Sequence, residues 1–423
     1  MTPAESAASA VDSDELVRLV QDATRIPSIT PNEHEFAAWV LRQLKDFGWD
    51  QAKSTDIGDG RPNVHADVGS NAGPSLLLAG HLDTVHVDDW IKHWKDTDRA
   101  DPFAAEIVDG EIWGRGVADQ KAGICSIIAA VRAIHRAGYR PKGMVSALFV
   151  SDEESGQPGS GVSAGMRAAV QNYAGHGPKA DFLIYTEPTT SAVYTAQMGF
   201  FIAEITLTGK SAYFGRPELG VDALRAGHEL LTALWTHSEE LRTIEAHKLI
   251  GYANLLVTEV RSGGNIAVPG LFNLSLIRKI LPSENMDEAA DRIREITARV
   301  GSEHGVEVEV VFSAPRDHAV GGTPDEIPSD HPGVVSLARS ISTITGEEAR
   351  IEAAPFWSEK PFLAALDVPG VYFAPGDISN CHTPFERLEI KELLSATRIL
   401  THFVASWCGL EELPTPPVKG GAT

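Results

Sequence analysis

The sequence predicts an α/β protein: a mostly parallel sheet with helices on both faces, interrupted by an inserted ferredoxin-like βαββαβ domain. Three observations carry that reading. Short apolar runs at residues 76–79, 144–150, 182–185 and 370–373 have the length and continuity of strands buried on both faces. Helical periodicity intervenes, notably over residues 121–137. In the middle of the chain the rhythm changes to strand, helix, two strands, helix, strand. A chain of 423 residues also exceeds one typical compact core, so two domains are expected.

Taken in order, a helix is announced by Thr30-Pro31-Asn32-Glu33, which supplies an N-cap, a proline at the first helical position and a glutamate at N3. Phe36, Ala37, Val40, Leu41 and Leu44 then recur at helical spacing, and Gly48 is placed to end the run. Glu106–Val108 and Glu111–Trp113 flank Asp109-Gly110, the signature of a hairpin closed by a type I′ turn. In the middle section, residues 200–208 read as a strand and 217–236 as a helix. Strands follow at 251–261 and 272–279, then a helix at 286–300 and a strand at 306–311. The expected division is therefore residues 1–196 and 314–423 in one domain, with 197–313 inserted. The tail from Pro414, rich in proline and glycine, reads as disordered.

Composition narrows the function classes. Apolar residues at 43% and charged residues at 22% are ordinary for a globular enzyme. A formal charge of −22 opposes nucleic acid and anionic membrane as partners. No apolar run is long enough to span a bilayer, and the N-terminus lacks the basic-then-apolar pattern of a secretory signal. Cys125, Cys381 and Cys408 are too few and scattered for a disulfide framework, so a cytoplasmic setting is expected. Cys381 has no partnering His/Asn arrangement and reads as a packing residue rather than a nucleophile. The glycine-rich stretch 159–165 lacks the strand, loop and Lys-Ser/Thr order of a phosphate loop.

The chemistry lies where polar residues fall relative to the strands. The run 76–79 leads into His81 and Asp83, 144–150 into Glu153 and Glu154, 182–185 into Glu187, and 370–373 into a loop holding His382. Ligands of open α/β sheets bind at the carboxyl ends of the strands, so these side chains are delivered to one edge. Asp119, just ahead of a helix, can join them, although an N-cap is its simplest role. Two histidines and three carboxylates make a nitrogen-and-oxygen cage for two divalent ions, zinc or manganese, with cobalt also suited. Of the adjacent pair Glu153-Glu154, one can be a ligand and the other a proton shuttle. Asp83 is placed to accept the second ring N–H of His81.

These segments resemble a known family. His81-Leu82-Asp83, Gly114-Arg115-Gly116 leading to Asp119, Glu153-Glu154-Ser155-Gly156, Thr186-Glu187-Pro188 and His382-Thr383-Pro384 are similar to motifs of the dinuclear metallopeptidase family. Its members include aminoacylase, acetylornithine deacetylase, succinyl-diaminopimelate desuccinylase and glutamate carboxypeptidase. The resemblance implies that His81, Asp119 and Glu187 hold one ion, and that Asp119, Glu154 and His382 hold the other. It also implies Glu153 as general acid/base, Asp83 as the partner of His81, and an inserted lid domain that mediates homodimerisation. The lid departs from the family: Tyr213 stands where relatives carry a histidine that stabilises the oxyanion, and Ile266, beside Asn265, replaces an asparagine. Ser358-Glu359 stands in place of a common Thr-Asp pair. Arg278 remains where relatives bind a substrate carboxylate, and Arg216 and Asn265 complete the substrate-binding candidates.

A phenol can donate one hydrogen bond but cannot carry a positive charge as imidazole does, and its ring can stack on an aromatic substrate. The expected activity is hydrolysis of a C–N bond in a small carboxylate-bearing molecule. The altered lid points to an aromatic amine of the 5-nitroanthranilate type, with release of ammonia. The alternatives are a conventional N-acyl amino acid deacylase or dipeptidase, and, more remotely, a non-catalytic binding protein on the same fold.

Overall fold

Four parallel strands form the centre of the largest sheet, in the order Gly143–Val150, Gly73–His81, Phe182–Tyr185, Gly370–Tyr372. In this computed structural model, residues 1–154, 161–173 and 180–413 are described. The tail from Pro414, Ser155-Gly156 and part of the glycine-rich stretch lie outside them. Antiparallel strands extend the parallel centre: Pro62–Val68 and Asp50–Asp56 on one side, Val193–Gln197 on the other. The last six residues of Gly73–His81 and all of Phe182–Tyr185 are buried, as happens when helices cover both faces. The helices Ala122–Arg136 and Ile390–Cys408 pack together and are themselves largely buried. Register then decides the function: His81 lies opposite Val150, and Ala79 opposite Tyr185, so all the parallel strands finish at the same edge.

The hairpin has the geometry that its sequence requires, with Asp109 and Gly110 both at positive φ (52° and 84°) between paired strands Glu106–Val108 and Glu111–Trp113. Elsewhere tertiary contacts override local signals. The first motif-bearing helix is His34–Asp46 and starts later than the Thr30 cap predicts; Glu33 is its N-cap residue and makes no side-chain cap bond. The Thr30 hydroxyl instead donates to Asp83 at 2.7 Å, and Glu33 is held by Arg61. The helix read at 217–236 begins at Ala223, after a short turn at Pro217–Leu219, and runs to Leu241 from an Asp222 cap. The strand Asp50–Asp56 has no apolar pattern to reveal it and is almost wholly exposed; pairing with Pro62–Val68 and packing of His34–Asp46 hold it. No helix of the described residues is long and apolar enough to cross a membrane.

Packing divides the chain into two units, the second comprising Ala196–Glu326 and Ala353–Pro361. It continues past residue 313, the boundary expected from the βαββαβ pattern, and takes in a separate short segment later in the chain. Its antiparallel sheet runs Asn254–Ser262, Leu271–Ile280, Gly199–Thr208, Glu307–Phe312, the second–third–first–fourth order of a ferredoxin-like sandwich. Phe201, Ala203, Ile205 and Leu207 alternate inward from the first strand and join Phe272, Leu274 and Leu276 in a core with helices Ala223–Leu241 and Met286–His304. The fit is tight at Gly227, where a Cβ would stand 2.3 Å from the Phe272 ring. Gly227→Val should destabilise this unit by about 1–3 kcal/mol through overpacking, read as a lower denaturation midpoint; an unchanged midpoint would show that the helix can shift away.

Candidate metal centre

Each candidate ligand is delivered by a short loop at the common strand edge. His81 ends its strand, and its Nδ1 lies 2.9 Å from the backbone oxygen of Asp83, which leaves Nε2 facing Asp119. The Asp83 carboxylate stands 3.8 Å from that ring nitrogen, beyond hydrogen-bond reach. It serves a different purpose. Its oxygens accept the backbone N–H groups of Glu153 (3.2 Å) and Glu154 (2.9 Å) together with the Thr30 hydroxyl. The expected partner of His81 is therefore the main chain of Asp83, while the side chain of Asp83 holds the glutamate pair.

The neighbouring Asp152 adopts φ 75°, a conformation that few residues other than glycine take up, and its carboxylate accepts N–H groups of Gly161, Val162 and Ala164. Arg61 pairs with it at 2.8 Å and with Glu33 on its other side. This brace had no signal in the sequence, because Arg61 and Asp152 belong to different parts of the chain. Asp119 lies in the kinked stretch Val117–Lys121, with φ −117° and ψ 91°, and does not cap the helix that follows.

The structure brings His81, Asp119, Glu154, Glu187 and His382 together. Asp119 Oδ1 lies 3.1 Å from His81 Nε2, and Asp119 Oδ2 lies 3.1 Å from His382 Nε2. Glu187 is 3.8 Å from His81, and Glu154 is 2.8 Å from His382. Two donor groups result, His81/Asp119/Glu187 and Asp119/Glu154/His382, each with ligand atoms within 4.8 Å of one another. His81, Glu153 and Glu154 form a third such group. All are buried or nearly so except His382, whose side chain is 50% exposed and opens the centre to solvent.

The electrostatics favour a cation. Burial opposes charge on His81, yet the bond to Asp119 and the carboxylates of Glu187 and Glu153 raise its pKa well above the usual imidazole value. His382 is likewise pushed up to about 11: burial works against it, but Asp119 and Glu154 prevail. Burial raises the Asp119 pKa, but bonds to His382 and His81 outweigh this and hold it below the ordinary carboxylate range. Burial, with Glu33 and Glu154 nearby, lifts Asp83 to about 7, against the pull of His81. Four clustered carboxylates, Asp119, Glu153, Glu154 and Glu187, thus draw positive charge toward the two imidazoles. A mixed nitrogen and oxygen donor set with that surplus of negative charge fits divalent metal ions. The Cys381 thiol is buried and raised well above its usual value by that burial and by the same carboxylates, which suits a packing role.

The lid candidates belong to the second unit. Tyr213 and Phe214 are 60% and 61% exposed, with ring centroids 4.7 Å apart, and Tyr213 bridges Ala267 in the loop that carries Asn265. Arg216 is exposed beside Glu218. Arg278 is buried, and its guanidinium is taken by Glu284 and the Lys279 carbonyl, so it is not offered to a substrate carboxylate in this structure.

The sequence model of Peptidase family M20/M25/M40 matches residues 77–406. The chain is 28% identical to the acetylornithine deacetylase of Proteus mirabilis over 84% of each protein. It is 26% identical to the succinyl-diaminopimelate desuccinylase of Gluconacetobacter diazotrophicus, covering 92% of this chain and 96% of that one. Among solved structures, a dinuclear metal-binding peptidase of family M20 from Bacillus subtilis superposes with a TM-score of 0.64 at 16% identity, covering 94% of this chain and 98% of the other.

Because both donor groups share Asp119, Asp119→Ala should abolish binding of both ions, whereas His382→Ala should leave one ion per chain. Metal analysis after equilibrium dialysis measures this; two ions retained by Asp119→Ala would exclude a shared ligand.

Proposed function

The chain belongs to peptidase family M20/M25/M40, and from that premise we propose that it hydrolyses a carbon–nitrogen bond in a small carboxylate-bearing substrate. We assign His81, Asp119 and Glu187 to one divalent ion and Asp119, Glu154 and His382 to a second, zinc or manganese, with cobalt also suited. The observation that carries the reading is the pair of donor groups meeting at Asp119, with Glu153 beside His81 and Glu154. When bound, such ions polarise a substrate oxygen and lower the pKa of water. Glu153 then takes the proton of the attacking water and returns it to the leaving nitrogen. Asp83 supports this transfer by holding the main chain of Glu153 and Glu154 through their N–H groups.

Two substrate classes are supported by different observations. Relatives named acetylornithine deacetylase and succinyl-diaminopimelate desuccinylase support cleavage of an N-acyl amine. The exposed Tyr213–Phe214 pair supports an aromatic amine of the 5-nitroanthranilate type, whose ring would stack on these side chains. Arg278 is buried against Glu284, whereas Arg216, paired with Glu218, is exposed, so Arg216 is the lid cation proposed for the substrate carboxylate. The lid is also the surface proposed for a homodimer: its edge strand Asn254–Ser262 leaves Leu256 and Val260 exposed.

Glu153→Gln should lower turnover by about 10²–10⁴-fold while two ions remain bound, since the amide cannot shuttle a proton. Undiminished turnover in that variant would remove Glu153 from the chemistry. The substrate classes separate in a product assay with metal-loaded enzyme: a free amino acid from an N-acyl amino acid or dipeptide marks an amidohydrolase, and ammonia with a hydroxylated ring marks an aromatic aminohydrolase.

A further inference from the structure

Glu386 is a completely buried carboxylate that the proposed reaction does not use. It lies in the same loop as His382, ahead of the strand Arg387–Glu389 that pairs with Glu111–Trp113. Its side chain reaches back to the other metal-bearing loop. Oε2 accepts from Arg115 Nη1 at 2.5 Å, while Oε1 accepts the backbone N–H groups of Ala118 (3.2 Å) and Asp119 (3.3 Å). Its own backbone carbonyl accepts the N–H of Gly114 at 3.3 Å. The rest of the His382 loop is pinned as well, by the Trp94 indole N–H to the Pro384 carbonyl at 2.6 Å.

We propose that Glu386 is a positioning residue for both metal sites: it locks the Asp119 backbone to the loop that carries His382, and thereby sets the shared carboxylate between the two imidazoles. The proposal rests on the two-ion reading above. A buried Arg–Glu pair is a poor device for stability alone, since apolar residues of similar volume often serve as well. What an apolar pair cannot do is accept two backbone N–H groups and a guanidinium at once. That demand arises where the chain is kinked and non-helical at Asp119, leaving those N–H groups without helical partners. Burial and the nearby Asp119 push the Glu386 carboxyl pKa up, and Arg115, 1% exposed, opposes that rise.

The test is calorimetric titration with zinc and manganese of wild type, Glu386→Gln, Glu386→Asp and the double variant Arg115→Met/Glu386→Met. Glu386→Asp keeps the charge opposite Arg115 but withdraws the acceptor from Ala118 and Asp119. Both single variants are expected to bind each of the two ions about 10–100-fold more weakly, the range seen when groups that orient metal ligands are removed. The double variant, free of an unpaired buried charge, should regain thermal stability without regaining affinity. It also decides the matter if the single variants fail to fold. Wild-type affinity in any folded variant overturns the proposal, as does weakening confined to one of the two ions. Failure of the wild type itself to bind two ions overturns the two-ion reading, and this proposal with it.

Discussion

The two oxygens of Asp119 face different imidazoles at equal distance, and the centre is organised around that division. Here the carboxylate's backbone stands outside the regular helix that follows it. The kink at Val117–Lys121 achieves this, and Glu386 accepts the N–H groups that the kink leaves over. One side chain thus depends on a distant loop for its place, and two histidines from opposite ends of the chain depend on it for theirs.

The surroundings follow one electrostatic rule. Glu33, Asp83, Asp119, Asp152, Glu154 and Glu386 are all buried, and each is given donors: backbone N–H groups, an arginine or an imidazole. Charges in such a place need partners of this kind, because water is excluded and desolvation is costly. Asp83 accepts the backbone N–H groups of Glu153 and Glu154, and Asp152 accepts those of Gly161, Val162 and Ala164, so the main chain beside the glutamate pair is held by carboxylates outside the two donor groups. Rigidity here has a chemical value, since ligands and a proton carrier must keep their separations to a fraction of an ångström.

The second unit is built on a different principle. Its core is a one-sided antiparallel sheet under two helices, and its loops present aromatic rings to solvent instead of burying them. A parallel sheet buried on both faces suits fixed ligands; a small sandwich with exposed loops suits contacts that vary with the substrate. Tyr213 and Phe214 occupy such a loop, and Arg278, on a central strand, is instead absorbed into an internal ion pair.

Sequence alone determined where the parallel strands end, because an apolar run that stops abruptly at His81, or shortly before Glu153 and Glu187, is a local pattern of burial giving way to polarity. It also determined the Asp109-Gly110 hairpin, since the positive φ values there depend on the residues themselves. Tertiary structure decided which polar groups meet. The Thr30 hydroxyl left its predicted cap for Asp83, the Asp83 carboxylate served the glutamate pair instead of His81, and Arg278 closed on Glu284. Glu386 was an unremarked glutamate until the fold set it against Arg115 and Asp119. The reason is physical: periodicity and turn chemistry act over a few residues, whereas a buried hydrogen-bonding group takes whichever partner packing brings within 3 Å or so, however remote it is along the chain.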